Sequence, residues 1–402
     1  MSKSGVKPMR AIGLMSGTSM DAIDVAMIET DGEDHVVRGP ALTLPYNSGD
    51  RRLLSRAMDA AKACTRRDER PAALAIAEEM VTRLHGAAVL AFLTQYSVER
   101  SKVAVIGFHG QTVLHRQFQQ VFEQTDDKVG APENVRRHRK TMLTIQLGDG
   151  QKLADETGIP VVFDLRAADT EAGGQGAPLV PIYHKALVAR LPQRPVAVVN
   201  IGGVANVTWI EEWGRYPEAR GGLIAFDTGP GNATIDDWMG RHTDLSFDDA
   251  GSMAARGRVN VVALKSLISH PYFSKCPPKS IDRNEFDLDE LSDMSAEDGA
   301  ATLTAFTAEA IAKSREHLPD EPALWIICGG GRKNKTLMSM LAGRVENAVV
   351  PCEAVGLDGD MIEAEAWAYL AVRSLRGLPI TFRGTTGVAK PTTGGVHATP
   401  RS

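Results

Sequence analysis

The sequence is poor in cysteine, in basic charge and in long apolar runs. Its 402 residues include only four cysteines, Cys64, Cys276, Cys328 and Cys352, and no two of them form a CxxC pair. This spacing argues against a disulfide framework and against a structural zinc site. A formal net charge of −5 argues against a nucleic-acid-binding surface. No segment approaches the roughly 18 uninterrupted apolar residues of a membrane span.

Several common signatures are also missing. The chain has no Gly-Lys dipeptide, which excludes a Walker A loop, and no dinucleotide-type GxGxxG turn or GxSxG nucleophile elbow. The first ten residues are not followed by the apolar core of a signal peptide. We therefore expect a cytoplasmic protein with no nucleic-acid and no membrane partner. Its length is sufficient for two domains, because single cores stop growing at roughly 250–300 residues.

Apolar strands and amphipathic helices alternate twice along the chain. Strands are predicted near residues 11–15, 22–28, 103–106, 159–163, 196–199, 204–210 and 324–327, and helices near 50–63, 71–94, 232–239, 300–314 and 361–375. This order predicts an α/β protein with two halves of similar architecture. We expect an N-terminal lobe over residues 1–190 together with 376–402, and a C-terminal lobe over 191–375. The tail from residue 384 has a loop-like composition.

Many of the 38 glycines cluster in turns that follow predicted strands. The candidate nucleotide-binding residues in these turns are Ser16, Gly17, Thr18, Ser19, Asp21, Gly202, Gly203, Asp227, Thr228, Gly229, Gly231, Asn232, Gly329, Gly330 and Gly331. Glycine lets backbone N–H groups converge on a phosphate, and Ser and Thr hydroxyls add donors. One such turn alone would be an ordinary tight turn. Four of them predict a two-lobed kinase that holds the phosphates between loops.

Six segments, in this order, resemble the anhydro-N-acetylmuramic acid kinases. They are Gly13-Leu-Met-Ser-Gly-Thr-Ser-Met-Asp21, Gly107-Phe-His-Gly-Gln-Thr112, residues 168–178, Asn200-Ile-Gly-Gly-Val-Ala-Asn206, Phe226-Asp-Thr-Gly-Pro-Gly-Asn232 and Cys328-Gly-Gly-Gly331. The resemblance implies a two-domain actin/hexokinase-like (ribonuclease-H-like) fold with an interdomain active-site cleft. It also implies ATP and Mg2+ as cofactors, a small anhydrosugar as substrate, and a homodimer.

In that family the enzyme hydrolyses the 1,6-anhydro bridge of 1,6-anhydro-N-acetylmuramic acid and phosphorylates O6. The product is N-acetylmuramic acid 6-phosphate, an intermediate of cell-wall recycling. Three rivals remain at this point: a kinase for another anhydrosugar such as levoglucosan, a non-catalytic sugar sensor of the same fold, and an ATP-hydrolysing motor. The sensor would be expected to have lost the carboxylate of Asp169 or the first phosphate loop, which is the turn of residues 16–19, and the sequence keeps both.

Four carboxylates are candidates for the chemistry. The resemblance assigns Asp169 as the catalytic base, and the alternative is a helix cap. Asp21 and Asp227 would position magnesium or water beside a triphosphate, or else simply cap turns. Glu363 corresponds to the family's acidic helix residue and is a candidate metal ligand, with a solvated glutamate as the alternative.

Polar side chains near other strand ends are candidates for sugar binding. The resemblance places His109 and Gln111 near the sugar, and both side chains can donate and accept hydrogen bonds. Gln146 and Asp149 are predicted to line the same cleft, with a structural role as the alternative. Asp164 is either a substrate contact or a partner in an ion pair at the domain junction.

The chain departs from the family pattern in two places. The first loop carries Met20 and Ala22 where Leu and Gly are more usual. Residues 117–140 form a polar insertion that ends in a basic run. Its length and polarity predict a surface excursion or an extra hairpin, which would either reach the mouth of the cleft or remain solvated.

Overall fold

The computed structural model describes residues 6–17, 19–124, 135–211, 221–283 and 285–401. The chain forms two compact units, one comprising Met1–Ala186 with Glu363–Ser402 and the other Leu187–Ile362. Within the described ranges, none of the helices combines the length and the apolar character needed to cross a bilayer.

Strands and helices alternate as the sequence predicts. The strands are β1 Met9–Ser16, β2 Ala22–Thr30, β3 Val36–Pro45, β4 Val105–Gln124, β5 Val135–Leu147, β6 Val161–Phe163, β7 Val196–Ile201, β8 Val204–Ile210, β9 Leu223–Pro230, β10 Leu324–Cys328, β11 Ala348–Pro351 and β12 Val396–Ala398. The helices are α1 Ser48–Ala61, α2 Ala72–Gln95, α3 Gly150–Thr157, α4 Ala167–Glu171, α5 Pro181–Val188, α6 Ala233–His242, α7 Val261–Ile268, α8 Ala296–Lys313, α9 Lys335–Ala342 and α10 Ile362–Leu375.

The two sheets repeat one topology. In the first unit the strand order is β12-β6-β4-β1-β2-β3, with β5 paired to β4, and in the second it is β11-β10-β7-β8-β9. Each sheet has an antiparallel three-stranded meander, formed by β1–β3 or β7–β9. Parallel strands then extend each sheet from the first meander strand. This repeat is the ribonuclease-H-like arrangement, so the predicted fold class is confirmed.

Helices cover the apolar faces of both sheets. In the first unit, α1 and α2 bury residues such as Leu54, Val81 and Phe92 in one core with strand residues of the sheet. In the second, α8 is buried along most of its length. Its N-cap is Ser295, whose hydroxyl accepts a hydrogen bond from the Asp298 amide and so satisfies a free helical N–H group.

The C-terminal helix α10 packs directly on the first sheet. A Cβ at Gly13 of β1 would lie 1.8 Å from the carbonyl oxygen of Ala364, and one at Gly107 of β4 would lie 2.0 Å from that of Trp367. Only glycine permits such a close approach of helix backbone to strand. From α10 packed in this way, the Trp367 side chain contacts Met15 of β1 and His109 of β4.

Two features of the first unit differ from the sequence-based picture. Most of α10 belongs to this unit, whereas the predicted boundary put residues up to 375 in the other lobe. The tail is ordered at its end, because β12 pairs antiparallel with β6. In the insertion, by contrast, residues 117–124 and 135–140 lie in the antiparallel pair β4 and β5, as the hairpin alternative predicts. Residues 125–134 lie outside the described part of the chain.

Candidate active site

Asp169 lies on the short helix α4 and is 1% exposed. One carboxylate oxygen, Oδ2, accepts a hydrogen bond from the Gly176 amide at 2.6 Å, and Oδ1 accepts one from the Thr386 hydroxyl at 2.6 Å. A Cβ at Gly174 would lie 2.3 Å from Oδ2. The glycine turn after α4 therefore wraps around this carboxylate and fixes its orientation.

A histidine and an arginine lie close to Asp169 on the same unit. The Arg166 guanidinium donates to the carbonyl of Gly176 at 2.7 Å and to Nε2 of His109 at 3.2 Å. It also lies 5.5 Å from the ring centroid of Trp367, whose ring is 4.5 Å from that of His109. Burial lowers the pKa of Arg166 to about 10, although Glu363 and Asp169 oppose this shift. Burial first, and Arg166 second, keep the pKa of His109 well below its ordinary value. His109 is therefore neutral at pH 7, with Nε2 as an acceptor.

Gln111 contacts Ser16 and Gly17, the start of the predicted first phosphate loop. Its side chain is fully buried, accepts a hydrogen bond from the Ser16 hydroxyl at 2.5 Å and donates to the Gly17 carbonyl at 3.1 Å. Tyr46 also contacts the Ser16 hydroxyl, at 3.0 Å. The structure thus places Gln111 and Ser16 in the support of the loop, with their polar groups already engaged.

The exposed end of this loop is held by Asp21. Its Oδ1 accepts hydrogen bonds from the Ser19 hydroxyl at 2.7 Å and from the Ala22 amide at 3.0 Å. Met20, one of the two departures from the family pattern, has a φ of 54°. Asp21 therefore caps the turn in this structure, and Thr18 lies outside the described residues.

A cavity in the first unit brings together three of the predicted sugar-binding residues. Its lining comprises Arg67, Arg70, Phe108, His109, Gly110, Thr144, Gln146, Leu147, Gly148, Phe163 and Asp164. Polar side chains beside aromatic and aliphatic ones are typical of small-ligand sites. Gln146 donates to the hydroxyls of Thr144 and Thr112, at 2.9 and 3.2 Å, so its amide orientation is fixed.

Asp164 has the least ordinary geometry of these residues. Its φ is 52°, a left-handed conformation that is uncommon outside glycine and tends to occur at functional sites. Its carboxylate pairs with Arg67. Burial raises the pKa of Asp164, and Arg67 opposes that shift.

Asp149 is not part of the cavity lining. It is the N-cap of α3, and its side chain accepts a hydrogen bond from the Lys152 amide at 3.0 Å. Its own amide donates to the Thr82 hydroxyl. Within the described part of the chain, Asp149 therefore has the structural role that was the alternative to sugar binding.

In the second unit, the three predicted nucleotide turns converge on Asn232. The Asn232 amide donates to the Gly202 carbonyl at 2.7 Å, and the Gly231 amide to the Gly203 carbonyl at 2.9 Å. A Cβ at Gly330 would lie 3.5 Å from Nδ2 of Asn232. One small region therefore collects residues from β7–β8, from β9–α6 and from the segment after β10.

The glycines of this region fall into two groups. A Cβ at Gly229, Gly231, Gly329 or Gly331 would lie under 3.0 Å from protein atoms, so packing alone requires glycine there. A Cβ at Gly202, Gly203 or Gly330 would approach nothing nearer than 3.5 Å. Their surfaces are open, so a phosphate or an adenosine can approach the backbone closely. The residues present therefore fit a nucleotide.

Asp227 and Thr228 belong to strand β9, before the turn. The Asp227 carboxylate accepts a hydrogen bond from the Ile281 amide at 3.0 Å. Burial raises its pKa to about 7, which that amide only partly opposes. The Thr228 hydroxyl is buried and donates to the Ala205 carbonyl at 3.2 Å.

Glu363 lies in the first turn of α10, where its charge interacts with that of Arg166. Among the described residues, no group of three or more His, Cys, Asp or Glu side chains is arranged to hold a metal. Magnesium bound to a nucleotide typically takes only one or two protein carboxylates, with phosphates and waters completing its shell. The assignment of Glu363 to magnesium therefore stays a prediction.

Sequence reasoning missed several residues of these sites. Arg67 and Arg70 lie between α1 and α2, about 40 residues before the first sugar-site motif. Trp367 and Thr386 reach His109 and Asp169 from the C-terminal segment. In the sequence, Arg67 and Arg70 stand in a charged loop. Such a loop usually indicates a solvated surface, so it did not predict a binding site.

The chain matches known proteins along nearly its full length. A family model described as anhydro-N-acetylmuramic acid kinase matches residues 9–400. The chain is 51% identical over 399 residues to the anhydro-N-acetylmuramic acid kinase of Azorhizobium caulinodans, covering 98% of this chain and 100% of that one. It is 48% identical over 403 residues to the one of Methylobacterium nodulans, covering 98% and 100%. A solved activator of 2-hydroxyisocaproyl-CoA dehydratase from Clostridium difficile, with bound ADPNP, aligns over 92% of this chain and 96% of that one. Its identity is 10% and its TM-score 0.41.

Proposed function

The chain belongs to the anhydro-N-acetylmuramic acid kinase family, and we propose that it converts 1,6-anhydro-N-acetylmuramic acid to N-acetylmuramic acid 6-phosphate with ATP. Water adds to the anomeric carbon, the 1,6-anhydro bridge opens, and O6 takes the γ-phosphoryl group of ATP while ADP leaves. The observation that carries this proposal is the family match over residues 9–400. The activity serves the recycling of cell-wall sugars.

Asp169 is the proposed general base. The Gly176 amide and the Thr386 hydroxyl each occupy one lone pair of the carboxylate, which leaves further lone pairs to accept a proton from water. These two hydrogen bonds hold the carboxylate in one orientation, as a base that must meet one water requires. A base positioned in this way contributes about 10²- to 10⁴-fold in rate.

The sugar and the nucleotide are assigned to different units. We place the sugar in the cavity of the first unit, with His109, Gln146 and Asp164 as its polar contacts. Because Nε2 of the neutral His109 accepts from Arg166, the other ring nitrogen, Nδ1–H, is its donor toward a sugar hydroxyl. The phosphates and adenosine are assigned to the open glycines of the second unit.

ATP is the phosphoryl donor, and Mg2+ is the proposed metal. Magnesium would neutralise charge on the phosphates as the γ-phosphoryl group transfers. Glu363 is the carboxylate assigned to the metal, and Asp227 of the second unit is assigned to a water beside the nucleotide. Because burial favours protonated Asp227, a cation beside it would shift that carboxyl toward its ionised form. A cytoplasmic location and a homodimer complete the proposal.

Incubation with MgATP and 1,6-anhydro-N-acetylmuramic acid in H2¹⁸O tests the function, with mass spectrometry of the product. We expect one phosphate and one ¹⁸O-labelled hydroxyl at the anomeric carbon. Phosphate without the added water would contradict the coupled reaction. Phosphorylation of levoglucosan in preference to the muramic sugar would assign the chain to another substrate, and no product from either sugar would favour a sensor.

A further inference from the structure

The loop between α1 and α2 presents Arg67 to the sugar cavity on a rigid support. The Arg70 guanidinium donates to the carbonyls of Arg67 and Glu69, at 2.9 and 3.0 Å, and to that of Gln146 at 3.3 Å. Its Nε also pairs with Glu78 at 3.0 Å. The hydrogen bonds of Arg70 thus fix the loop, and Glu78 balances its charge. The backbone of Arg67 is held against the strand that carries Gln146.

The Arg67 guanidinium has N–H donors left for a further hydrogen bond. Its Nη2 pairs with Asp164, and its Nη1 lies 3.2 Å from Glu171. A guanidinium has five N–H donors, so three of the five carry no hydrogen bond among the residues that the structure describes. The side chain is 41% exposed and lines the cavity.

The two counter-ions of Arg67 differ in how firmly they are held. Asp164 is 20% exposed and lines the cavity with Arg67, whereas the Glu171 side chain is 71% exposed. An exposed ion pair contributes little free energy, because water solvates both charges. Glu171 is therefore a displaceable partner, and another carboxylate can take its place at low cost.

We propose that Arg67 is a carboxylate-binding residue of the sugar cavity, and that it makes this chain selective for an acidic anhydrosugar. The inference rests on the proposed function. Muramic acid differs from glucosamine by a lactyl ether, which bears a carboxylate. This carboxylate replaces Glu171 on the guanidinium, which binds carboxylates with two parallel N–H donors, while Asp164 keeps Arg67 in place. Uncharged anhydrosugars lack this contact.

Three variants assayed with 1,6-anhydro-N-acetylmuramic acid test the assignment. In Arg67→Gln we expect the KM to rise about 10- to 100-fold, as the loss of a charged hydrogen bond predicts. In Glu171→Gln we expect the KM to fall about two- to five-fold, because a competing carboxylate is removed. Arg66→Gln is the matched control, since Arg66 is the preceding residue, pairs with Asp68 on the surface and is absent from the cavity lining. Its KM should not change.

The neutral 1,6-anhydro-N-acetylglucosamine, used as substrate or as competitive inhibitor, supplies the second readout. Its KM or Ki should be alike in wild type and Arg67→Gln, which also shows that the variant is folded. Equal weakening of both sugars in Arg67→Gln, or a raised KM in Glu171→Gln, overturns the inference and leaves the kinase function standing. Failure of the wild type to phosphorylate either sugar instead overturns the proposed function.

Discussion

Replacing Asp169 by Asn should abolish most of the activity while leaving the fold nearly intact. The carboxamide has the shape of the carboxylate, so its oxygen can keep the Gly176 amide, whose distance to Asp169 is 2.6 Å. Its NH2 group can donate to the Thr386 hydroxyl, which turns to accept. Both partners stay satisfied, so we expect a stability loss of about 1 kcal/mol, or a fall in Tm of about 2–4 °C.

The catalytic cost is much larger, because an amide cannot take a proton from water. A loss of about 10²- to 10⁴-fold in kcat corresponds to about 3–5 kcal/mol of transition-state free energy. ADP release in a coupled assay gives kcat, and thermal melting gives Tm. Thr386→Val is the control, since it keeps the carboxylate and removes one orienting bond, and it should retain much more activity than Asp169→Asn. An Asp169→Asn enzyme within ten-fold of wild-type kcat would refute the role of general base.

Three further predictions address the second unit, the first unit and pH. Gly330→Ala should weaken ATP binding, measured by calorimetry, and leave Tm unchanged. Gly331→Ala should lower Tm, because overpacking costs about 1–3 kcal/mol. If both variants changed ATP binding and Tm equally, the distinction between open and packed glycines would be wrong. Glu365→Ala should cost about 3–5 kcal/mol in denaturant unfolding, because the buried Glu365 carboxylate pairs with Arg38 at 2.6 Å and accepts a hydrogen bond from the buried Tyr183 hydroxyl at 2.8 Å, and both contacts are lost. The pKa of Asp227 is raised from 3.8 to about 7 in the fold, so stability should fall as pH rises from 4 to 7, and Asp227→Asn should flatten that fall in Tm. An unaltered pH profile in the variant would count against the raised pKa.

The fold was predictable because its signals are local. Strands such as β7 and β8 are apolar runs bounded by turns, and α8 has helical periodicity with a Ser N-cap. The pairing of β12 with β6 was not predictable in the same way. It depends on a partner distant in the sequence, which gives no periodic signal within one segment.

The candidate site was predictable only where a motif carries it. His109 and Asp169 lie in motifs, but the residues that orient them, Trp367 and Thr386, are 258 and 217 positions away, as the residue numbers show. Gln111, in contrast, lies in a motif but does not have the role that the motif predicts. An amide in a motif predicts a ligand contact, whereas burial under the first loop gives it a supporting role.

The glycine turns show why composition alone overstates a binding site. Gly331 and Gly330 are neighbours in one motif, and nothing in the sequence separates them. In the structure, a Cβ at Gly331 would lie 2.3 Å from the Ile201 side chain, whereas one at Gly330 would meet no atom within 3.4 Å. Packing requires glycine at position 331, whereas the space beside Gly330 is open to a ligand. A glycine motif therefore combines residues that packing requires with residues that a ligand can approach. Only the packing around each Cα distinguishes the two kinds.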